Sequence, residues 1–275
     1  GGIHSLNNAP EWGFNTIEDN ACGNDGAGYF ASKGSPWVHD NVFKNNKAAD
    51  DAGGLRIYVG NWATIEDNEF IGNECNDGGG GLKLSHSKNI IRRNYFEGNY
   101  AGNLGGGMTL DNETSNVEDC TFVENVAYRG AGIHGWRNEG KISILNSTFV
   151  GNYASYCGGG IQLDNNHHEM TLHNLWMTGN TSGGDGGAIC SEVFPLDGDL
   201  PEEEQVSTES HFKLVNSVLW GNSAGDDGAG LYVRLGIATL ENVVIHGNDA
   251  PDEGVGVTAK EDATVHLVNT IVSAN

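Results

Sequence analysis

The chain has 275 residues, a net charge of −23 from 14 basic and 37 acidic side chains, and 42 glycines against 5 prolines. Glycine without the three-residue period of collagen disfavours long helices and favours a protein with many tight turns. The negative charge repels nucleic acid and anionic lipid surfaces, so the sequence predicts no nucleic-acid partner. It also predicts no membrane insertion by this segment, because no apolar run approaches the roughly 18 residues that a spanning helix needs.

An asparagine recurs along the whole chain at a spacing of 26 to 28 residues, apart from one step of 42 residues. A period of this length is typical of solenoid proteins, in which each repeat forms one coil. The longer step indicates an acidic loop insertion at 192–210 within what is otherwise a single domain over residues 1–275. The recurring asparagines are Asn20, Asn46, Asn73, Asn99, Asn125, Asn152, Asn180, Asn222, Asn248 and Asn275.

Three further positions recur with the same spacing as these asparagines, and we call each set of equivalent residues a column. An apolar residue, most often phenylalanine, lies three residues before each asparagine, and from the second repeat on another apolar residue lies eight before it. An alanine, cysteine or serine lies two residues after all but the last. Most repeats then carry a Gly-x-Gly phrase and a stretch that alternates apolar and polar residues, such as Leu82 and Leu84 after Gly79-Gly80-Gly81. Such alternation predicts a half-buried strand.

Each repeat therefore holds three short strands, which enclose a core only when coils stack about 4.8 Å apart. The sequence predicts an all-β fold, a parallel β-helix of about ten coils with 26–27 residues per coil. We expect the phenylalanine column to fill the core and the small residues to line a tight corner. The asparagine side chains should bond to the neighbouring coil while tolerating left-handed backbone angles.

Two phrases in the repeats suggest a relationship. Phe149-Val150-Gly151-Asn152 and Gly186-Gly187-Ala188-Ile189 resemble the repeats of the polymorphic outer-membrane protein family and of related right-handed parallel β-helix proteins. The resemblance covers essentially the whole chain. It implies a right-handed parallel β-helix and, as in that family, a secreted or surface-displayed segment used for adhesion. We therefore expect an extracellular or cell-surface location.

The five cysteines predict neither a disulfide nor a zinc site. Cys22 and Cys75 share the small-residue column but lie two coils, about 10 Å, apart, and a disulfide tolerates only ~7 Å between Cα atoms. We expect both to be small buried side chains. Cys120, Cys157 and Cys190 fall at other phases of the repeat and are expected to be unpaired, and no Cys-x-x-Cys spacing suggests zinc.

The strand after the glycines points alternate side chains away from the core, and this outward strand face holds the candidate functional residues. Two carboxylates two coils apart flank a tryptophan there, which suggests hydrolysis of a polysaccharide, although their separation of roughly 10 Å slightly exceeds that of inverting glycosidases. The outer face of any β-helix must be polar, so the same residues also fit a solvated surface. The candidate catalytic residues are Asp111, His134 and Asp164. The candidate ligand-binding residues are Arg56, Lys83, Trp136, Arg137 and Glu192.

Aspartates recur just before the glycines, where Asp-Gly is also ordinary turn chemistry. Stacked carboxylates repel one another, and Ca²⁺ accepts oxygen-rich clusters of this kind. The sequence thus leaves two alternatives, no cofactor or bound Ca²⁺. The candidate metal ligands are Asp25, Asp51, Asp77, Asp226, Asp227 and Asp252, with Glu253 beside the last. A weaker metal hypothesis at His167-His168-Glu169 lacks a third ligand in phase.

Both ends of the sequence lie inside the repeat, without a capping element over the terminal coils. Two interpretations stay open: the chain is part of a longer protein, or its coil ends self-associate and build an end-to-end filament. We expect a non-catalytic extracellular or cell-surface scaffold or adhesin module, whose partner is a carbohydrate or another cell-surface ligand. The alternative is a polysaccharide lyase or glycoside hydrolase acting on the outward strand face.

Overall fold

The chain winds into an all-β, right-handed parallel β-helix, as predicted, with ten strands in each of three long sheets. The computed structural model describes residues 2–7, 9–59, 62–138, 140–166, 168–194, 210–252 and 254–275. Most of the insertion, residues 195–209, lies outside the described residues, as do His167 and Glu253. The described part of the chain contains no helix, and therefore none of the length and apolarity that crossing a membrane requires.

Four parallel sheets run along the axis of the β-helix, and we number them in the order in which the chain visits them. Sheet 1 consists of Ile3–Leu6, Tyr29–Ser32, Leu55–Tyr58, Leu82–Ser85, Met108–Asp111, Ile133–Trp136, Ile161–Asp164, Ile189–Glu192, Leu231–Arg234 and Val257–Lys260. Sheet 2 consists of Glu11–Gly13, Trp37–His39, Ala63–Glu66, Lys88–Arg92, Thr114–Glu118, Ser143–Leu145, Met170–His173, Ser210–Val215, Gly236–Glu241 and Thr264–Val268. Sheet 3 consists of Thr16–Glu18, Val42–Lys44, Glu69–Ile71, Tyr95–Glu97, Thr121–Val123, Thr148–Val150, Trp176–Thr178, Val218–Trp220, Val244–His246 and Ile271–Ser273. Sheet 4 consists of Ala21–Cys22, Lys47–Ala48, Glu74–Cys75, Tyr100–Ala101, Val126–Arg129, Tyr153–Cys157, Thr181–Ser182 and Ser223–Ala224.

Each strand pairs with the strand one coil later, so residues at the same repeat position lie side by side. Leu82 pairs with Met108, and Met108 pairs with Ile133. The three strands per coil that the repeat predicts are those of sheets 1 to 3. Sheet 4 was not predicted, because most of its strands have two residues and carry the small-residue column instead of an alternating pattern.

The phenylalanine column fills the core, as predicted. Five rings from Phe43 to Phe149 stack face to face, with centroids 4.7–4.9 Å apart and planes within 5° of parallel. This spacing matches the rise of about 4.8 Å between hydrogen-bonded strands, so one aromatic residue per coil packs at contact distance. Met177, Leu219 and Ile245 continue the column and are fully buried.

The asparagine column forms a continuous buried ladder. Asn99 Nδ2 donates to Asn125 Oδ1 and to the Phe70 carbonyl, each at 2.9 Å, and Asn99 Oδ1 accepts from Asn73 Nδ2 at 3.0 Å. These bonds were predicted, but the left-handed angles belong to the preceding residue, for example Gly98 with φ 60°. A second ladder five residues earlier was missed, and it joins Asn15, Asn41, Asn68 and Asn94.

An arch joins each strand of sheet 4 to the next strand of sheet 1 and folds back over the outer face of that strand. The Leu104 carbonyl of one arch accepts a 2.9 Å hydrogen bond from the Thr109 hydroxyl, and Lys83 reaches Asp77 of its own arch. Gly105, with φ 59°, makes the turn where an added Cβ would collide with Thr109. The prediction of a solvated outward face on sheet 1 is therefore wrong, because the arches bury much of it.

Candidate functional site

Four outward side chains of sheet 1 form a buried group beneath the arches. We call this group the polar cluster, and its members are His134, Gln162, Asp164 and Glu192. His134 Nε2 lies 3.0 Å from Asp164 Oδ2, and Gln162 Nε2 donates to Asp164 Oδ1 at 3.0 Å. Parallel pairing sets His134 beside Gln162 and Asp164 beside Glu192 on adjacent strands. Three of the side chains have no exposed surface, and Glu192 is 1% exposed.

Two arginines and two aromatic rings cover this group. We call them the arginine–aromatic roof, formed by Arg129, Tyr156, Phe194 and Arg234. Arg129 Cζ lies 4.6 Å from the ring centroid of Tyr156 and 4.7 Å from that of Phe194. Arg234 Cζ lies 5.5 Å from the same Phe194 centroid, and the Trp136 ring is 6.5 Å from it. Stacked planar groups thus separate the polar cluster from solvent.

The roof arginines face the two buried carboxylates. Arg129 Nη1 lies 3.5 Å from Asp164 Oδ2, and Arg234 Nε lies 3.8 Å from Glu192 Oε1. Burial, reinforced by the charge of Asp164, raises the pKa of Glu192 to about 7. Glycosidases use carboxyl pairs with unequal pKa values as acid and base. Here both carboxyls are covered, and the arrangement compensates buried charge.

The structure brings only two of the three candidate catalytic residues together, His134 and Asp164. Asp111 pairs with Trp136 and Trp136 pairs with Asp164, so the two aspartates lie two coils apart, as expected. Asp111 is half-buried and accepts a 3.3 Å hydrogen bond from the Ser85 hydroxyl instead of joining the polar cluster.

The candidate ligand-binding residues fall into three places. Arg137 is exposed, with its guanidinium 5.1 Å from the centroid of the Trp136 ring. Glu192 belongs to the polar cluster. Arg56 and Lys83 are buried, with exposed fractions of 5% and 6%, under arches closer to the N-terminus than the polar cluster. Sequence reasoning therefore placed Arg56, Lys83 and Glu192 on the correct face of the strand but wrongly expected their side chains to be exposed.

A disulfide joins Cys157 to Cys190, with Cα atoms 5.9 Å apart, so the prediction that both are unpaired is wrong. Cys157 ends a strand of sheet 4 where the arch begins, and Cys190 is an outward residue of sheet 1 one coil later. The arch brings these different phases of the repeat into contact. Cys75 and Cys120 are free and buried, and Cys22 is free and half-buried.

Three acidic side chains gather near the third coil. Carboxylate oxygens of Asp50, Asp51 and Asp77 lie within 4.8 Å of one another. Lys83 Nζ lies 2.6 Å from Asp51 Oδ1 and 3.4 Å from Asp77 Oδ2, and Arg56 Nη2 lies 3.4 Å from Asp51 Oδ2. The structure thus brings Asp51 and Asp77 together, with the Lys83 ammonium between them.

The other candidate metal ligands are more scattered. Asp25 Oδ1 accepts from the backbone of Asp51 at 3.4 Å and borders a cavity of about 310 Å³ beside the first coil. Asp227 lies 2.9 Å from the ammonium of Lys260. Among the residues that the structure describes, Asp226, Asp227 and Asp252 do not form an oxygen cluster.

Sequence reasoning missed a buried carboxyl at Glu113, which is 1% exposed. Its Oε1 accepts from the Ser87 backbone at 3.0 Å and hydroxyl at 2.9 Å, and its Oε2 accepts from Asn89 at 2.8 Å and Ser115 at 3.1 Å. Burial raises the pKa of Glu113 to about 8. The repeat spacing could have revealed these contacts. Ser87 precedes Glu113 by 26 residues, and Asn89 precedes Ser115 by 26 residues, so each pair lies on adjacent coils.

Comparison with known proteins agrees with this architecture. A family model described as "Right handed beta helix region" matches residues 52–190, about half of the chain. The matched segment contains Asp111, His134 and Asp164. No curated protein and no solved structure matches the chain.

Proposed function

Since the chain belongs to the right-handed β-helix family, we propose that it is a non-catalytic scaffold or adhesin module with an extracellular or cell-surface location. The closure of the polar cluster carries this proposal. His134 and Asp164 have no exposed surface, and Glu192 has 1%. A catalytic group must come within hydrogen-bond reach of the substrate. A cluster sealed under stacked arginines and aromatic rings therefore fits a structural role.

The regularity of the coils also supports a scaffold. Ten strands spaced about 4.8 Å apart give a rod of roughly 45 Å, which holds its outer faces at fixed positions. A repeat of this kind offers extended surfaces on which a carbohydrate or another cell-surface ligand can be bound. The resemblance of its Phe-x-Gly-Asn and Gly-Gly-Ala-Ile phrases to polymorphic outer-membrane protein repeats supports the same role.

Two observations support the location. The Cys157–Cys190 disulfide is of a kind that persists in oxidising compartments and is rare in the cytosol. The net charge of −23 is typical of a soluble surface that avoids nucleic acids and anionic lipids.

One observation favours the second candidate, a polysaccharide lyase or glycoside hydrolase. The pKa of Glu192 is raised to about 7 by burial and by the neighbouring Asp164, as suits a general acid. Such an enzyme would have to open the roof, because Phe194 and Arg129 lie over the carboxyls.

Incubation with acidic and neutral polysaccharides distinguishes the two candidates. We expect neither new reducing ends nor absorbance from unsaturated uronides. Turnover that is lost in both Asp164→Asn and Glu192→Gln, but kept in Asp111→Asn, would instead establish an enzyme that acts through the polar cluster.

Ca²⁺ binding at Asp50, Asp51 and Asp77 stays a prediction. Ca²⁺ would have to displace the Lys83 ammonium, so we expect only weak binding. A calorimetric titration should give heat that the Asp77→Asn variant lacks. No heat, together with an unchanged melting temperature in EDTA, would exclude the site.

A further inference from the structure

The outer surface of sheet 3 changes character halfway along the β-helix. Each coil contributes to it a six-residue segment made of a corner, a strand and the next corner. In the first five coils each segment carries two charged residues, namely Glu18 and Asp19, Asp40 and Lys44, Asp67 and Glu69, Arg93 and Glu97, and Asp119 and Glu124. In the last five coils the segments carry no Asp, Glu, Lys or Arg, and they are residues 146–151, 174–179, 216–221, 242–247 and 269–274.

We call the outer face of these last five segments the uncharged strip. Its outward positions form two columns along the axis. The first column is Thr148, Trp176, Val218, Val244 and Ile271. The second column is Val150, Thr178, Trp220, His246 and Ser273. Trp176 and Trp220 are 44% and 49% exposed, with ring centroids 6.4 Å apart. Two large aromatic rings are thus half-exposed on this face, with their planes 64° apart.

The two rims of the strip are uncharged as well. One rim is a row of exposed asparagines linked by side-chain hydrogen bonds, of 3.0 Å from Asn174 to Asn146 and 3.2 Å from Asn242 to Asn216. These asparagines have positive φ, and aspartate takes the same position in earlier coils, for example Asp67 with φ 56°. Backbone geometry therefore permits charge at this rim.

The opposite rim consists largely of glycines, and it leaves the edge of the strip open. Gly179 and Gly221 have φ 63°, and an added Cβ at either would meet nothing within 4 Å. At these two positions no side chain stands between the tryptophans and solvent. A long ligand could therefore extend past the strip without a steric barrier.

The dimensions of the strip argue against a second copy of the chain as its main occupant. Five strands about 4.8 Å apart, two outward positions wide, give an area on the order of 300 Å². A stable protein–protein interface needs about 800 Å² from each partner. A narrow strip about 25 Å long instead matches a linear chain lying along the axis.

Charge and chemistry identify the class of that chain. The acidic molecule repels anionic polymers, whereas an uncharged polymer meets no such barrier. Aromatic rings can pack against the apolar C–H face of a sugar ring, and asparagine and threonine side chains can bond to its hydroxyls. We propose that the uncharged strip binds a linear, uncharged polysaccharide. This inference rests on the proposed role as a binding module and names its ligand class.

Native electrophoresis in gels containing a soluble polysaccharide tests the proposal. The uncharged probes are a β-glucan, a galactomannan and an arabinoxylan, and polygalacturonate is the anionic probe. We expect at least one uncharged probe to retard the protein and polygalacturonate to have no effect. Removing one tryptophan, in Trp176→Ala or Trp220→Ala, should weaken binding about tenfold, which corresponds to about 1.4 kcal/mol.

The matched control is Trp62→Ala, because Trp62 is 64% exposed but lies outside the strip. It should bind like the wild type. Val150→Asp, which adds a charge to the strip, should also weaken binding, and unchanged melting temperatures would show that the variants are folded. Retention of binding in both tryptophan variants, no retardation by any uncharged probe, or dimers that disappear in Trp220→Ala would each overturn the proposal. Binding and turnover are separate readouts. Loss of the binding inference would leave the non-catalytic role standing, and detection of turnover would overturn that role without affecting binding at the strip.

Discussion

Asn99 links three consecutive coils with one buried side chain. Its amide donates to Asn125 on one side and to the Phe70 carbonyl on the other, and its Oδ1 accepts two bonds from Asn73. In Asn99→Ala these buried groups lose a partner, and each unsatisfied group costs about 1–3 kcal/mol. We expect the free energy of unfolding, measured by urea denaturation, to fall by about 3 kcal/mol or more.

The matched control is Asn103→Ala in the following arch. Asn103 is exposed, and its side chain donates a 2.9 Å hydrogen bond to Asp77. Its removal should change the free energy of unfolding by less than about 0.5 kcal/mol. Equal losses in the two variants would contradict the importance of the buried ladder.

Glu113 should make the protein less stable as the pH rises. Burial raises the pKa of its carboxyl from 4.5 to about 8 in the folded chain. Between these values the folded protein holds a proton that the unfolded chain has released, so the free energy of unfolding decreases with increasing pH. The contribution is fully present below the unfolded pKa of 4.5 and is lost as the pH passes about 8.

Melting curves between these pH values test this. Glu113→Gln cannot titrate, so its melting temperature should decline less steeply with pH than that of the wild type. Glu69→Gln, at an exposed carboxyl of sheet 3, should follow the wild type. Parallel pH profiles for Glu113→Gln and the wild type would refute the assignment.

At the scale of elements, the strands could be predicted because identical coils place one kind of residue in one column. Phe96 and Asn99 recur at constant spacing, and a spacing that matches the coil fixes both register and core. The arches could not be predicted in this way. Their equivalent positions hold Leu104, Arg129 and Cys157, which share no residue type, so no column shows that they cover sheet 1.

The candidate site was misjudged for the same reason. His134, Asp164 and Glu192 were correctly assigned to the outward side of their strands. Whether that side is exposed to solvent depends on the arch and the roof residues that cover it. The disulfide follows from the same geometry. An arch residue lies over the strand residue five positions later, as Leu104 lies over Thr109. For Cys157 that residue is Gln162, and Gln162 pairs with Cys190 one coil, or 28 residues, later. The two steps of 5 and 28 residues give the 33 residues that separate Cys157 from Cys190.

Removal of the disulfide should destabilise the arch region and the whole chain. The bond closes a loop of 33 residues and joins two adjacent coils. In the double variant Cys157→Ala and Cys190→Ala we expect the free energy of unfolding to fall by about 2–4 kcal/mol. Urea denaturation measures this, and Cys75→Ala, in the small-residue column that is mostly alanine, is the control.

The thiol count gives an independent check of the pairing. Alkylation of the denatured, unreduced protein should modify the three free cysteines Cys22, Cys75 and Cys120. Labelling of all five cysteines under these conditions would contradict the disulfide.

At the scale of the whole molecule, the hydrogen-bonded ladders determine how the β-helix responds to force. Backbone and asparagine hydrogen bonds run parallel to the axis, while the chain itself runs around it. Tension along the rod loads all the bonds between two coils at once, whereas a pull on one chain end detaches them in succession. The same β-helix is therefore stiff under tension along its axis, and it peels coil by coil when it is drawn from one chain end.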